Sequence, residues 1–164
     1  MAVKAFLDDL QQFVVQAKAL TYAADLEPGE SSRPQSNDRG FEDGRFRYLD
    51  SAVGGTHFIG QELVYLFGEP VWAMNYHGRI IDPSYSPADV GRVIQASLTA
   101  LYEEGRFLGG FESTLDGFGY VDVNDGDIEE FVGHEIVEFA GRVIYRLRYH
   151  GGLVRTWTDD ELVY

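Results

Sequence analysis

Two groups of side chains in this sequence carry functional groups able to bind or transform a small molecule. Glu62, Asn75 and His77 form one, Glu135, Arg148 and His150 the other. Carboxylate and imidazole can exchange protons near neutrality once burial or a neighbouring charge has moved their pKa values. The same two types also suit zinc, iron or manganese. Amide and guanidinium groups orient a polar ligand within an otherwise apolar site. Phe58 and Phe131 precede the two glutamates by four positions and add aromatic surface.

Strand parity decides which of these groups can meet. The stretches Phe58 to Phe67, Pro70 to His77, Ile128 to Ala140 and Arg142 to His150 are rich in aromatic and β-branched residues and bounded by turn formers, so they read as strands. With Gly68-Glu69 and Gly141-Arg142 as two-residue hairpin turns, Gly60 falls opposite His77 and Gly133 opposite His150. Glu62 then faces Asn75, and Glu135 faces Arg148. This register puts Ile59, Leu63, Trp72, Met74 and Tyr76, with Val132, Ile136, Tyr145, Leu147 and Tyr149, on a helix-covered core face. Phe58, Glu62, Asn75 and His77 share the other face with Phe131, Glu135, Arg146, Arg148 and His150. That mixture is expected to bind a small organic ligand. The plainer alternative is a solvated sheet face on which Glu135 and Arg148 form a weak surface pair, with glycines that only make room for the histidine rings.

The two groups occupy equivalent places in an internal repeat. Sliding the chain by 73 positions aligns 58–81 with 131–154 without a gap, and 8 of the 24 positions are identical. They include Gly60/Gly133, Glu62/Glu135, Tyr76/Tyr149 and His77/His150. With one residue deleted, Tyr48-x-Asp50 matches Tyr120-x-Asp122. A long period occurring twice is a duplicated unit whose halves must bury each other, not a solenoid. The expectation is therefore an α+β domain. Two tandem helix-then-antiparallel-strand repeats, about 3–81 and 87–158, form one pseudo-twofold domain with helices packed on a curved antiparallel sheet. The chain 1–164 is then one domain of two halves, 1–81 and 82–164.

The residues Tyr48-x-Asp50, Phe58-x-Gly60-x-Glu62-x-Val64 and Pro70-Val71-Trp72-Ala73-Met74-Asn75-Tyr76-x-Gly78 resemble a bacterial and archaeal domain-of-unknown-function family, family 5680. Its members often follow a helix-turn-helix DNA-binding segment. The resemblance covers nearly the whole chain and implies no activity. This sequence shows no helix-turn-helix, so a sensing role would belong to a stand-alone copy.

The positioning elements follow from periodicity. Val3, Phe6, Leu7, Leu10, Phe13, Val14, Ala17 and Leu20 make one apolar helical stripe, and Val90, Val93, Ile94, Leu98, Leu101 and Tyr102 make a second. The second helix opens on Ser86 as N-cap, Pro87 at its first position and Asp89 in its first turn, and Gly105 ends it. Residues 26–40 are polar and aperiodic, which predicts a mobile loop. Further strands are expected over Arg45 to Asp50, Phe118 to Val123 and Leu153 to Thr158.

Composition bounds the remaining readings. At 164 residues, with 45% apolar and 14% aromatic side chains, the chain can bury a real core. A net charge of -14 speaks against direct nucleic-acid binding. With no cysteine, thiolate nucleophiles, disulfides and Cys-ligated metals are out, and a reducing, cytoplasmic setting is expected. No apolar run reaches membrane-spanning length. No HExxH spacing or nucleophile elbow occurs, so neither a metal nor a cofactor is expected. The leading reading is a non-catalytic small-molecule-binding or sensor module. An interaction or oligomerisation module, including a homo-oligomer, and an enzyme using Glu/His acid-base chemistry stay open beside it.

Overall fold

In the computed structural model, which describes residues 2–154, two helices are built as their apolar stripes dictate. The first, α1 (Ala2–Leu20), buries Phe6, Leu10, Phe13, Val14 and Ala17. The second, α2 (Pro87–Glu103), starts at a complete capping box. The Ser86 hydroxyl accepts from the Asp89 backbone N–H, and the Asp89 carboxylate accepts from the Ser86 N–H at 2.9 Å. Gly105, with φ of +74°, takes up the left-handed turn after its end.

Eight strands make one antiparallel sheet. They are β1 (Asn37–Asp43), β2 (Phe46–Gly54), β3 (His57–Leu66), β4 (Glu69–Ile80), β5 (Phe111–Leu115), β6 (Phe118–Gly126), β7 (Glu130–Phe139) and β8 (Arg142–Leu153), in spatial order β1-β2-β3-β4-β8-β7-β6-β5. A helix followed by four strands thus occurs twice along the chain. β4 and β8 pair at the centre, and β1 and β5 form the edges. The helices cover one face, on which Tyr48, Val64, Trp72, Met74, Tyr120, Phe131, Val137 and Tyr145 are buried. The strand expected over Leu153 to Thr158 is in part the end of β8, and residues 155–158 lie outside the described residues.

The hairpin register differs from the sequence expectation by one residue. The β3–β4 turn is Phe67–Gly68, with φ of +48° and +92°, because the primed turn that fits twisted strands needs positive φ at both central positions. Its glycine is the second turn residue, not the first. A bulge at Val71 then restores one position, so Val64 pairs with Trp72 and Glu62 with Met74. Ala140–Gly141 and a bulge at Ile144 do the same between β7 and β8, where Glu135 pairs with Leu147. Since side chains alternate faces, this one-residue offset turns β3 and β7 over relative to the expectation. Ile59 and Val132 lie on the outer, helix-free face at 54% and 58% exposure. Leu63 and Ile136 share that face, and Glu62 and Glu135 point inward.

The segment read as a loop over 26–40 already enters β1 at Asn37. Its earlier part is fastened to the sheet: the Arg33 guanidinium donates to the Ser51 hydroxyl and carbonyl, both at 2.8 Å. Asp38 accepts from Ser51 at 2.7 Å and from the Ser32 N–H at 2.8 Å.

Candidate functional site: a chamber of tyrosines and carboxylates

The site is built on two glycines. Gly60 on β3 lies between Ala52 of β2 and Tyr76 of β4, and Gly133 on β7 lies between Asn124 of β6 and Tyr149 of β8. With no side chain in the way, each tyrosine ring lies flat across the strand beside it. The Tyr76 hydroxyl reaches Asp50 on β2 at 2.6 Å, and the Tyr149 hydroxyl reaches Asp122 on β6 at 2.7 Å. A Cβ at Gly60 would stand 2.2 Å from the Tyr76 hydroxyl oxygen, and one at Gly133 2.3 Å from the Tyr149 ring. The glycines make room for tyrosines, not for histidines.

Next to these spans stand two pairs of opposed carboxylates, Asp50 with Glu62 and Asp122 with Glu135. All four are buried, at 5 to 7% exposure. They are compensated differently. Glu62 holds Lys18 of α1: Nζ lies 2.8 Å from Oε1 and 2.6 Å from Oε2. Among the described residues, Glu135 receives only neutral donors, the Tyr145 hydroxyl at 2.8 Å and the Tyr120 hydroxyl at 2.5 Å. Asp122 likewise accepts from Tyr149 and from the Asn124 amide at 2.7 Å. Burial raises the pKa values of Asp122 and Glu135, opposed by these donors. Burial and the charge of Glu62 push Asp50 up to about 7, against the Tyr76 hydrogen bond and the charges of Lys18 and Arg39. The phenols of Tyr48, Tyr76, Tyr102, Tyr120 and Tyr145 are all held well above their ordinary range, first by burial and then by these carboxylates, so they remain protonated.

These groups face a cavity of about 710 Å³ between helices and sheet. Its floor is Tyr48, Asp50, Phe58, Glu62, Met74, Tyr76, Tyr120, Asp122, Glu135, Tyr145 and Tyr149. Its roof is Lys18, Tyr22, Ile94, Leu98, Leu101, Tyr102 and Phe107. The exposed lining residues Asp25, Asn37, Gly54, Gly55, Pro87 and Ala88 mark a mouth between the first turn of α2 and the β1–β2 edge, with Arg39 half-buried beside it.

Of the residues singled out from sequence, Phe58, Glu62 and Glu135 meet in this chamber. Phe131 is core, stacked on Trp72 at 5.8 Å and edge-on to Phe107. Asn75, His77, Arg148 and His150 lie on the outer face, because the register offset turned only β3 and β7, which carry the glutamates with Phe58 and Phe131, inward. All four histidines, His57, His77, His134 and His150, are exposed there. A metal site joining His77 and His150 to Glu62 and Glu135 is thereby ruled out by the sheet itself. The surface pair of Glu135 with Arg148 does not form either, since Glu135 is bonded to two tyrosines inside. Sequence reasoning passed over Lys18, Asp50 and Asp122 and counted Tyr76, Tyr145 and Tyr149 as plain core. Signals existed for three of them. Lys18 falls four residues after Val14 on the buried stripe of α1, and Tyr-x-Asp recurs in both halves.

The fold and chamber define a class: an α+β domain with one eight-stranded antiparallel sheet, roofed by two helices over an acidic, tyrosine-lined cavity. The chain belongs to the family described as a domain of unknown function (DUF5680), whose model matches residues 50–154. The match takes in all four chamber carboxylates and leaves Lys18 and Arg39 outside it. No curated protein matches the chain, and no solved structure does. Among the described residues no helix is long and apolar enough to cross a membrane.

Proposed function

We propose that this domain is a non-catalytic binding module for a small organic ligand, held in the chamber rather than on the outer face. The observation that carries the reading is the combination of volume and lining. A cavity of about 710 Å³ falls in the size range of small-molecule sites. Aromatic rings supply its apolar surface, and a few fixed polar groups converge on it. Protein interiors are normally packed to crystal-like density, so a void this large at the centre of a domain needs a reason. Duplication supplies a route to it. Tyr76 pairs across the β4–β8 seam with Tyr149, its counterpart at the offset of 73, which supports a pseudo-twofold relation between the halves. Each half then contributes one tyrosine-spanned carboxylate pair to a shared chamber. Thermal shift over a compound collection tests the reading: a ligand raises the melting temperature by mass action. Gly91→Trp, placed on the roof beside the mouth, should abolish that rise.

One observation favours a second reading. Asp50, opposite Glu62 and held at about 7, has the poise of a general acid-base group. Turnover of a chamber-bound compound that is lost in Asp50→Asn, with binding retained, would establish an enzyme.

A further inference from the structure

From the charge layout of the chamber we infer that its ligand is an organic cation, an ammonium on an aromatic or apolar body, seated with its charge between Asp122 and Glu135. This rests on the reading of the chamber as a ligand site and adds the class of ligand.

The two ends of the chamber are not electrically alike. At the Asp50–Glu62 end the protein brings its own cations, the Lys18 ammonium on Glu62 and the Arg39 guanidinium on the strand opposite Asp50. At the Asp122–Glu135 end, among the described residues, no lysine, arginine or histidine nitrogen comes within ion-pair distance of either carboxylate. Each of those four oxygens accepts one hydrogen bond from a neutral phenol or amide, which leaves a second lone-pair direction on each. Lys18, and for Asp122 also His134, act on the pair only from beyond ion-pair distance. Two opposed buried carboxylates without a cation in contact are costly in a low dielectric, and removal of that cost is what a bound cation would contribute.

The walls agree with this choice. Tyr120, Tyr145 and Tyr149 line the chamber beside the pair, and aromatic rings attract ammonium groups that approach within about 6 Å of the centroid. An anionic ligand would meet four carboxylates against one lysine and one arginine, both at the far end. A neutral ligand would leave the pair with no cation in contact. Burial raises both carboxyl groups of the pair, so a cation that ionises them displaces protons, and its affinity rises with pH until they are fully ionised.

Three naphthalene probes of one shape, 2-(1-naphthyl)ethylamine, 2-(1-naphthyl)ethanol and 1-naphthylacetate, titrated calorimetrically into the full chain, decide the matter. The amine should bind, the alcohol and the acid about ten- to hundred-fold more weakly. Asp122→Asn and Glu135→Gln should each weaken the amine about ten-fold while leaving the alcohol unchanged. Arg148→Ala on the outer face should alter none. Should Glu135→Gln fail to fold, Asp122→Asn carries the comparison alone. Equal or tighter binding of the alcohol or the acid overturns the cationic class and leaves the chamber reading standing. Amine binding that is indifferent to Asp122→Asn overturns the placement. Silence from all three probes overturns the chamber reading and this one with it.

Discussion

At the scale of single residues, the most demanding positions are those with no side chain. Gly60 and Gly133 are needed because a tyrosine ring crosses directly above each backbone, so Gly60→Ala and Gly133→Ala force a shift of ring or strand. Each is expected to destabilise by about 1–3 kcal/mol, the usual cost of overpacking, read from urea denaturation. Restoring space with Tyr76→Ala in the Gly60→Ala background should recover part of that loss. Asp50 makes a prediction in pH. Its folded pKa, about 7, lies above its ordinary 3.8, so the folded state holds the proton more tightly than the unfolded chain does. The contribution is complete below pH 4 and is lost as pH rises through 7. Stability should therefore decline between pH 4 and 7. In Asp50→Asn that decline should flatten, measured by denaturant midpoints across the range.

At the scale of elements, α1 matters for the one charge it carries inward. Lys18→Met leaves Glu62 as an uncompensated buried carboxylate and should cost about 3–5 kcal/mol, whereas the double change with Glu62→Leu should recover most of that loss. A double-mutant cycle by chemical denaturation checks the coupling. The same scale shows how far the sequence could be read. Both helices, the capping box at Ser86 and the inward faces of β4 and β8 follow from periodicity and cap chemistry, which are local. The faces of β3 and β7 do not. They depend on Phe67 and Ala140 adopting positive φ, which those residue types disfavour, and on bulges at Val71 and Ile144 that leave no compositional mark. One misplaced turn residue therefore sent Glu62 and Glu135 to the wrong side. β1 and β5 escaped notice because edge strands of seven and five residues, rich in polar side chains, lack an alternating pattern. The Arg33–Ser51–Asp38 network yields a further expectation. Ser51→Ala removes a hydroxyl that joins Arg33 to Asp38, and should speed proteolytic cleavage between residues 26 and 36 without affecting the chamber on the opposite face.

At the scale of the whole molecule, the first four strands and the last four meet along a single seam, β4 against β8. Everything the chamber holds is divided by it: Lys18, Asp50 and Glu62 on one side, Asp122 and Glu135 on the other. A chain severed between Ile81 and Ser86 would yield two polypeptides, each with an open twelve-residue strand that presents an unpaired row of backbone donors and acceptors. Expressed alone, each should precipitate or pair with a copy of itself. Expressed together, they should zip along that strand and reassemble the cavity, detectable as co-purification of an untagged fragment with a tagged one. A compound that spans the seam would then act as a glue between the fragments, so a search for whatever makes the two pieces stay together is at the same time a search for a chamber ligand.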